Sequence, residues 1–142
     1  MAKQISIFLE NKAGRLSHVT RTLGDAGINI RALSIADTSD FGILRIIVND
    51  PDKAYSVLKE SGFTVSTTEV LAVQVPDTPG SLADVLEQMA EENINIEYLY
   101  AFIGTDANNA LVIFKVENIE KAREACNRKG IIFLEQNQLC KL

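Results

Sequence analysis

One stretch of this chain occurs twice. Glu10 to Ile30 reads ENKAGRLSHVTRTLGDAGINI, and Pro76 to Ile96 reads PDTPGSLADVLEQMAEENINI. At a shift of 66 residues Gly14 meets Gly80, Leu16 meets Leu82, and Ile28-Asn29-Ile30 meets Ile94-Asn95-Ile96. Each copy reads as a strand exit, a Gly-containing turn, an amphipathic helix and a second strand that opens on Asn. An internal period of this kind divides the 142 residues into two units, 1–68 and 69–142. Units that small bury a modest fraction of their surface. The two copies are therefore expected to pack on each other or on another chain.

The pattern extends beyond the repeated stretch. Lys3 to Leu9 alternates as a strand, with Ile5, Ile7 and Leu9 on one face and Phe8 on the other. Leu16, Val19, Leu23 and Ala26 recur at helical spacing, and Gly27 is the usual helix stop. Ile28 to Ala36 and Gly42 to Val48 read as a strand pair joined by a hairpin loop at 37–40. Asp50-Pro51 opens a second helix, with Asp as cap and Pro in the first turn. Ala54, Val57 and Leu58 form its apolar side, Gly62 ends it, and Phe63 to Thr67 is a fourth strand. In the second copy the strands are Val70 to Val75, Ile94 to Ile103, Ala110 to Val116 and Ile131 to Glu135. Leu82, Val85, Leu86 and Met89 are expected on the core side of its first helix, and Ile119, Ala122 and Cys126 on its second. The shift grows from 66 to 68, since Gly62 matches Gly130, which places a two-residue insertion in the loop 104–109. Strand, helix, strand, strand, helix, strand is the ferredoxin-like order. The expected class is α+β: two such βαββαβ units, each an antiparallel sheet with helices on one face. The link Thr67-Thr68 is too short for a flexible tether. Gln136 to Leu142 has no counterpart in the first copy, and is expected to extend the last strand or pack on a partner.

Charge narrows the function classes. Residues 1–68 hold 8 Lys and Arg against 7 Asp and Glu, a net +1; residues 69–142 hold 6 against 12, a net −6. An acidic second half disfavours nucleic acid and anionic membrane as partners. There is no long apolar run, and the N-terminus leads straight into a strand pattern without a secretory core, so the expected compartment is the cytoplasm. Cys126 and Cys140 lack metal or redox spacing. His18, the only histidine, falls off the apolar stripe and is expected to face solvent; it makes no metal site and no catalytic set alone. No cofactor is implied, because phosphate-loop and dinucleotide fingerprints are absent. Tyr98, Tyr100 and Phe102 share a strand face, which reads as packing or an interface rather than as a base-stacking platform on so acidic a half.

The chemistry is concentrated in the two turns. Each leads into a helix N-terminus, whose open N–H groups and partial positive charge suit a carboxylate or phosphate. Gly14 and Gly80 lack a Cβ and let a ligand approach the backbone. Asn11 can donate to a carboxylate or accept from an ammonium, whereas Asp77 can only accept while ionised. An α-amino acid carries both groups. The structural alternative is that Asn11 and Asp77 merely cap their helices and the glycines merely turn the chain. Asn29 and Asn95 stand 15 residues after each Gly, at strand starts where Asn is disfavoured. They close the helix-to-strand turn or contact a ligand held between neighbouring units.

N-K-A-G-R-L followed by G-I-N-I, and D-T-P-G-S-L followed by N-I-N-I, resemble the ACT domain, twice over nearly the whole chain. The second turn resembles the D-x-P-G form of aspartokinase regulatory domains. Two positions depart from the family habit: Ala13 stands where Pro is frequent, and Asn93 where Gly is. The resemblance implies a non-catalytic regulatory module that works in pairs and binds an amino acid between two units. It implies ligand contacts from Asn11, Lys12, Ala13, Gly14, Arg15, Leu16 and Asn29, and from Asp77, Thr78, Pro79, Gly80, Ser81, Leu82 and Asn95. The implied partners are a free amino acid, a second copy in a homodimer, and a regulated protein in trans. Two other readings compete: an acylphosphatase-type enzyme with Arg15 as its phosphate-holding residue, and an assembly module without ligand.

Overall fold

The computed structural model describes residues 1–37, 40–103 and 108–142. The hairpin loop expected at 37–40 and the insertion expected at 104–109 fall largely outside the described residues. The chain divides into two compact units, Lys3–Thr68 and Glu69–Leu142, the latter joined by Met1 and Ala2.

The first unit contains β1 (Ala2–Glu10), α1 (Arg15–Asp25), β2 (Ile30–Asp37), β3 (Phe41–Val48), α2 (Pro51–Glu60) and the start of β4 (Thr64–Pro76). Its strand order is β2-β3-β1-β4, with antiparallel registers Ile7↔Leu44 and Leu33↔Ile46. Alternation puts Ile5, Ile7, Leu9, Leu44, Ile46 and Val48 on the face that receives the helices, where they join Val19, Leu23, Ala54 and Leu58 in one core. Phe8 points the other way and is exposed. Asp50 caps α2 by accepting from the Lys53 N–H, with Pro51 in the first turn, because proline lacks the N–H that a first turn leaves unpaired anyway.

The second unit contains the rest of β4, α3 (Ser81–Glu91), β5 (Ile96–Ala101), β6 (Asn109–Val116), α4 (Ile119–Lys129), β7 (Phe133–Leu134) and α5 (Gln136–Leu139). Its order is β5-β6-β4-β7, antiparallel throughout. Leu71, Val73, Val75, Val85, Met89, Phe114, Val116, Ala122 and Cys126 make its core. Burial pushes the Cys126 thiol up to about 11, so it stays protonated at neutral pH. Both units are ferredoxin-like, and the α+β expectation holds.

Four local expectations are corrected. The strands expected at Phe63 to Thr67 and Val70 to Val75 are one strand of 13 residues; the short link Thr67-Thr68 lies inside it, because both are β-branched and no Gly or Pro interrupts them. The last strand is only Phe133–Leu134. The tail neither extends it nor lies fully open. It forms a helical turn closed by reciprocal bonds between Glu135 and Gln138, with Leu139 buried and Glu135 paired to the Met1 ammonium at 2.5 Å. Finally, Leu16 and Leu82 are not core residues: they stay 43% and 37% exposed. They occupy the first turn of their helices, beyond the layer that Val19 and Val85 bury. His18 is exposed as expected, its ring 5.1 Å from Phe63; Tyr100 and Phe102 are buried and Tyr98 half-buried; β2 and β5 begin at Ile30 and Ile96, two residues later than expected.

Candidate functional site

The two Gly turns are built alike. In the first, the Arg15 N–H donates to the Lys12 carbonyl at 3.3 Å; in the second, the Ser81 N–H donates to the Thr78 carbonyl at 3.2 Å. Gly14 and Gly80 both sit at φ +86°, with ψ near zero. Those are the angles of the third residue in a type II turn, which a side chain resists. Glycine is therefore required by the backbone alone. A Cβ at either position would meet nothing within 4 Å, so both turns are open above the chain. No side chain caps α1 or α3, which leaves N–H groups of each first turn unpaired by protein. Among the described residues the side chains of Asn11 and Asp77 make no hydrogen bond; neither closes its turn as a cap. Both helix N-termini thus combine open donors with a polar side chain that makes no hydrogen bond among the described residues.

The turns differ in their charges. Glu10 accepts from Lys12 at 2.9 Å and from Arg15 at 3.0 Å. The Lys12 ammonium and then the Arg15 guanidinium hold its carboxyl below the usual value. In the second turn Thr78 Oγ1 and Ser81 Oγ lie 2.5 Å apart, with Asp77 beside them and no basic residue between Asp77 and Leu82.

The first turn borders a cleft of about 220 Å³ lined by Leu9, Glu10, Lys12, Arg15, Leu16 and Asn11, and across it by Ile35, Asp37 and Gly42. The antiparallel order explains this meeting. β1 exits beside the start of β3, and Asp37↔Gly42 closes the β2 end at the same edge. Ile35 and Asp37 were not singled out from the sequence. The βαββαβ order contains the signal, because it returns the end of the second strand to the first turn.

Asn29 and Asn95 are not brought to the turn of their own unit. Asn29 stands at the Ile30↔Val48 end of the hairpin, whereas the turn stands at the Asp37↔Gly42 end, about 20 Å away along the strands. There the Asn29 N–H donates to Asn49 Oδ1 at 3.0 Å, and the Asn49 N–H to the Asn29 carbonyl at 3.3 Å. Asn95 repeats the placement: Nδ2 donates to Glu117 Oε2 at 3.4 Å, and its carbonyl accepts from the Glu117 N–H at 3.1 Å. It lines a second hollow, of about 580 Å³, with Asn93, Glu117, Asn118 and Lys121. Asn93 is the only described non-glycine residue at positive φ, +57°, the role that Gly27 fills in the first copy. A ligand touched by a turn and by one of these asparagines must therefore lie between different units.

Among solved structures, the protein BT0572 from Bacteroides thetaiotaomicron is 46% identical, covering 99% of this chain and 96% of that one, with a TM-score of 0.93. The regulatory subunits of aspartate kinase from Thermus thermophilus and Thermus flavus share the fold. They are 18% and 20% identical, at TM-scores of 0.66 and 0.60, over 89% of this chain and 91% and 90% of theirs. No curated protein sequence matches. The ACT domain pair family matches residues 1–142, the whole length over which the two units and their paired Gly turns extend, and the chain belongs to that family.

Proposed function

We propose that this chain is a non-catalytic amino-acid sensor that regulates a separate partner protein. Family membership and the fold shared with aspartate kinase regulatory subunits support a regulatory, ligand-binding role. The carrying observation is the pair of superimposable Gly turns at uncapped helix N-termini, each with an unengaged Asn11 or Asp77 and an exposed leucine. In this reading the ligand carboxylate lies on the first-turn N–H groups around Gly14 to Leu16, or Gly80 to Leu82. Its ammonium faces the carboxylate or amide side, at Asp77 in the second turn. Lys12, Ala13 and Arg15, and Thr78, Pro79 and Ser81, shape the two rims. Asn29 or Asn95 of a neighbouring unit completes the contact. A homodimer serves this geometry, since β2 and β5 each have one strand neighbour among the described residues. The cytoplasm is the compartment where a free amino acid would be sensed. No helix among the described residues is long and apolar enough to cross a membrane.

A phosphate-binding enzyme would need Arg15 to leave its pairing with Glu10 at 3.0 Å. A thermal-shift panel of the common amino acids tests the sensor. A ligand at a hundredfold excess over its dissociation constant stabilises by roughly 2.7 kcal/mol, which raises the melting temperature by several degrees. If no amino acid does so at millimolar concentration, sensing is excluded.

A further inference from the structure

We infer that the cleft of the first unit selects an amino acid with an aliphatic side chain; this rests on the sensor reading and specifies its ligand. The cleft holds about 220 Å³, below the roughly 300–1,000 Å³ of pockets for drug-sized ligands, which suits a small ligand. Polar and apolar groups share its lining, with Asp37 two residues from Ile35 on β2 and Leu9 next to Glu10. Glu10, Lys12 and Arg15 lie on the turn side, with the two cations already bonded to Glu10. Leu16 on α1 and Ile35 on β2 lie on its helix and strand walls, 43% and 55% exposed. Large aliphatic groups left that open are suited to cover by an apolar occupant.

A charged ligand side chain fits poorly there. An anionic one would lie near Asp37, which makes no ion pair among the described residues, and would find Lys12 and Arg15 already engaged. A cationic one would be drawn to Asp37 and would leave Leu16 and Ile35 wet. An aliphatic side chain dries both, and Asp37, with no ion pair among the described residues, faces the ligand ammonium. Gly42 forms part of the lining, and a Cβ there would come 3.3 Å from Ile35 Cδ1.

The second copy does not repeat this lining. At the shift of 66, Ala101 stands for Ile35 and Ile103 for Asp37. The two turns are therefore expected to differ in ligand preference.

Isothermal titration of the full chain with leucine, isoleucine, valine, aspartate, lysine and phenylalanine tests the inference. One of the three aliphatic amino acids is expected to bind tightest. Leu16→Asp and Ile35→Asp, both at exposed positions, should each weaken that binding about tenfold or more, with the ligand-free melting temperature nearly unchanged. Tightest binding by aspartate, lysine or phenylalanine at the first turn, weakened by Leu16→Asp or Ile35→Asp, overturns the aliphatic assignment and leaves the sensor reading standing. So does unaltered leucine, isoleucine or valine binding in both variants. Absence of binding by every amino acid overturns both.

Discussion

Gly14 and Gly80 carry the turn for a backbone reason that can be measured apart from any ligand. At φ +86° an alanine is strained, yet its methyl group would touch nothing within 4 Å. Gly14→Ala or Gly80→Ala should therefore cost about 1–2 kcal/mol in urea unfolding, and the asparagine variants less. An unchanged midpoint would remove the turn assignment. Glu10 offers a second residue-level test. Its carboxyl is held below its usual 4.5 by Lys12 and then Arg15. A group lowered in the folded state contributes stability that is fully present above the unfolded value and is lost as pH falls through the folded one. Glu10→Gln should thus be less stable than the parent at pH 7, and the gap should close below about pH 4. A gap independent of pH would show that the clamp seen around Glu10 is not maintained in solution.

At the scale of elements, the most informative departure from expectation is the C-terminal turn. Leu139 is 1% exposed at the end of a helix only four residues long. Propensity cannot sustain so short a helix; packing of Leu139 and the Glu135–Gln138 box must. Leu139→Ala should cost about 2–4 kcal/mol in chemical unfolding, and a loss under 0.5 kcal/mol would mean that the tail is not held as described. The sequence pattern was legible where local chemistry is strong: the Asp50-Pro51 helix start, the alternation of Ile5, Ile7 and Leu9, and the repeat itself. It was blind to what depends on distant partners. A 3.6-residue period assigned Leu16 and Leu82 to the core, since periodicity does not reveal that a helix outreaches the sheet beneath it. Nor does a spacing of 15 residues show that Asn29 and its turn lie at opposite ends of a hairpin. The join at Thr67-Thr68 read as a link because alternation weakens there, although the strand continues through it.

The whole molecule comprises two ferredoxin-like units bearing equivalent turns with unlike surroundings. The first unit is nearly neutral, and its turn is flanked by Lys12, Arg15 and Glu10; the second is acidic, and its turn has Asp77 with Thr78 and Ser81. Duplication kept the backbone device and let the rims diverge. A ligand can bias a partner only by favouring one arrangement of the units over another, so occupancy of a turn is the event from which regulation would follow. Amide chemical shifts report it residue by residue. Titration of the isotope-labelled full chain with the amino-acid panel should shift the amides of Asn11 to Ser17, or of Asp77 to Ala83, saturably and with the affinity seen by calorimetry. Saturable binding that leaves both turns unperturbed would contradict the central claim.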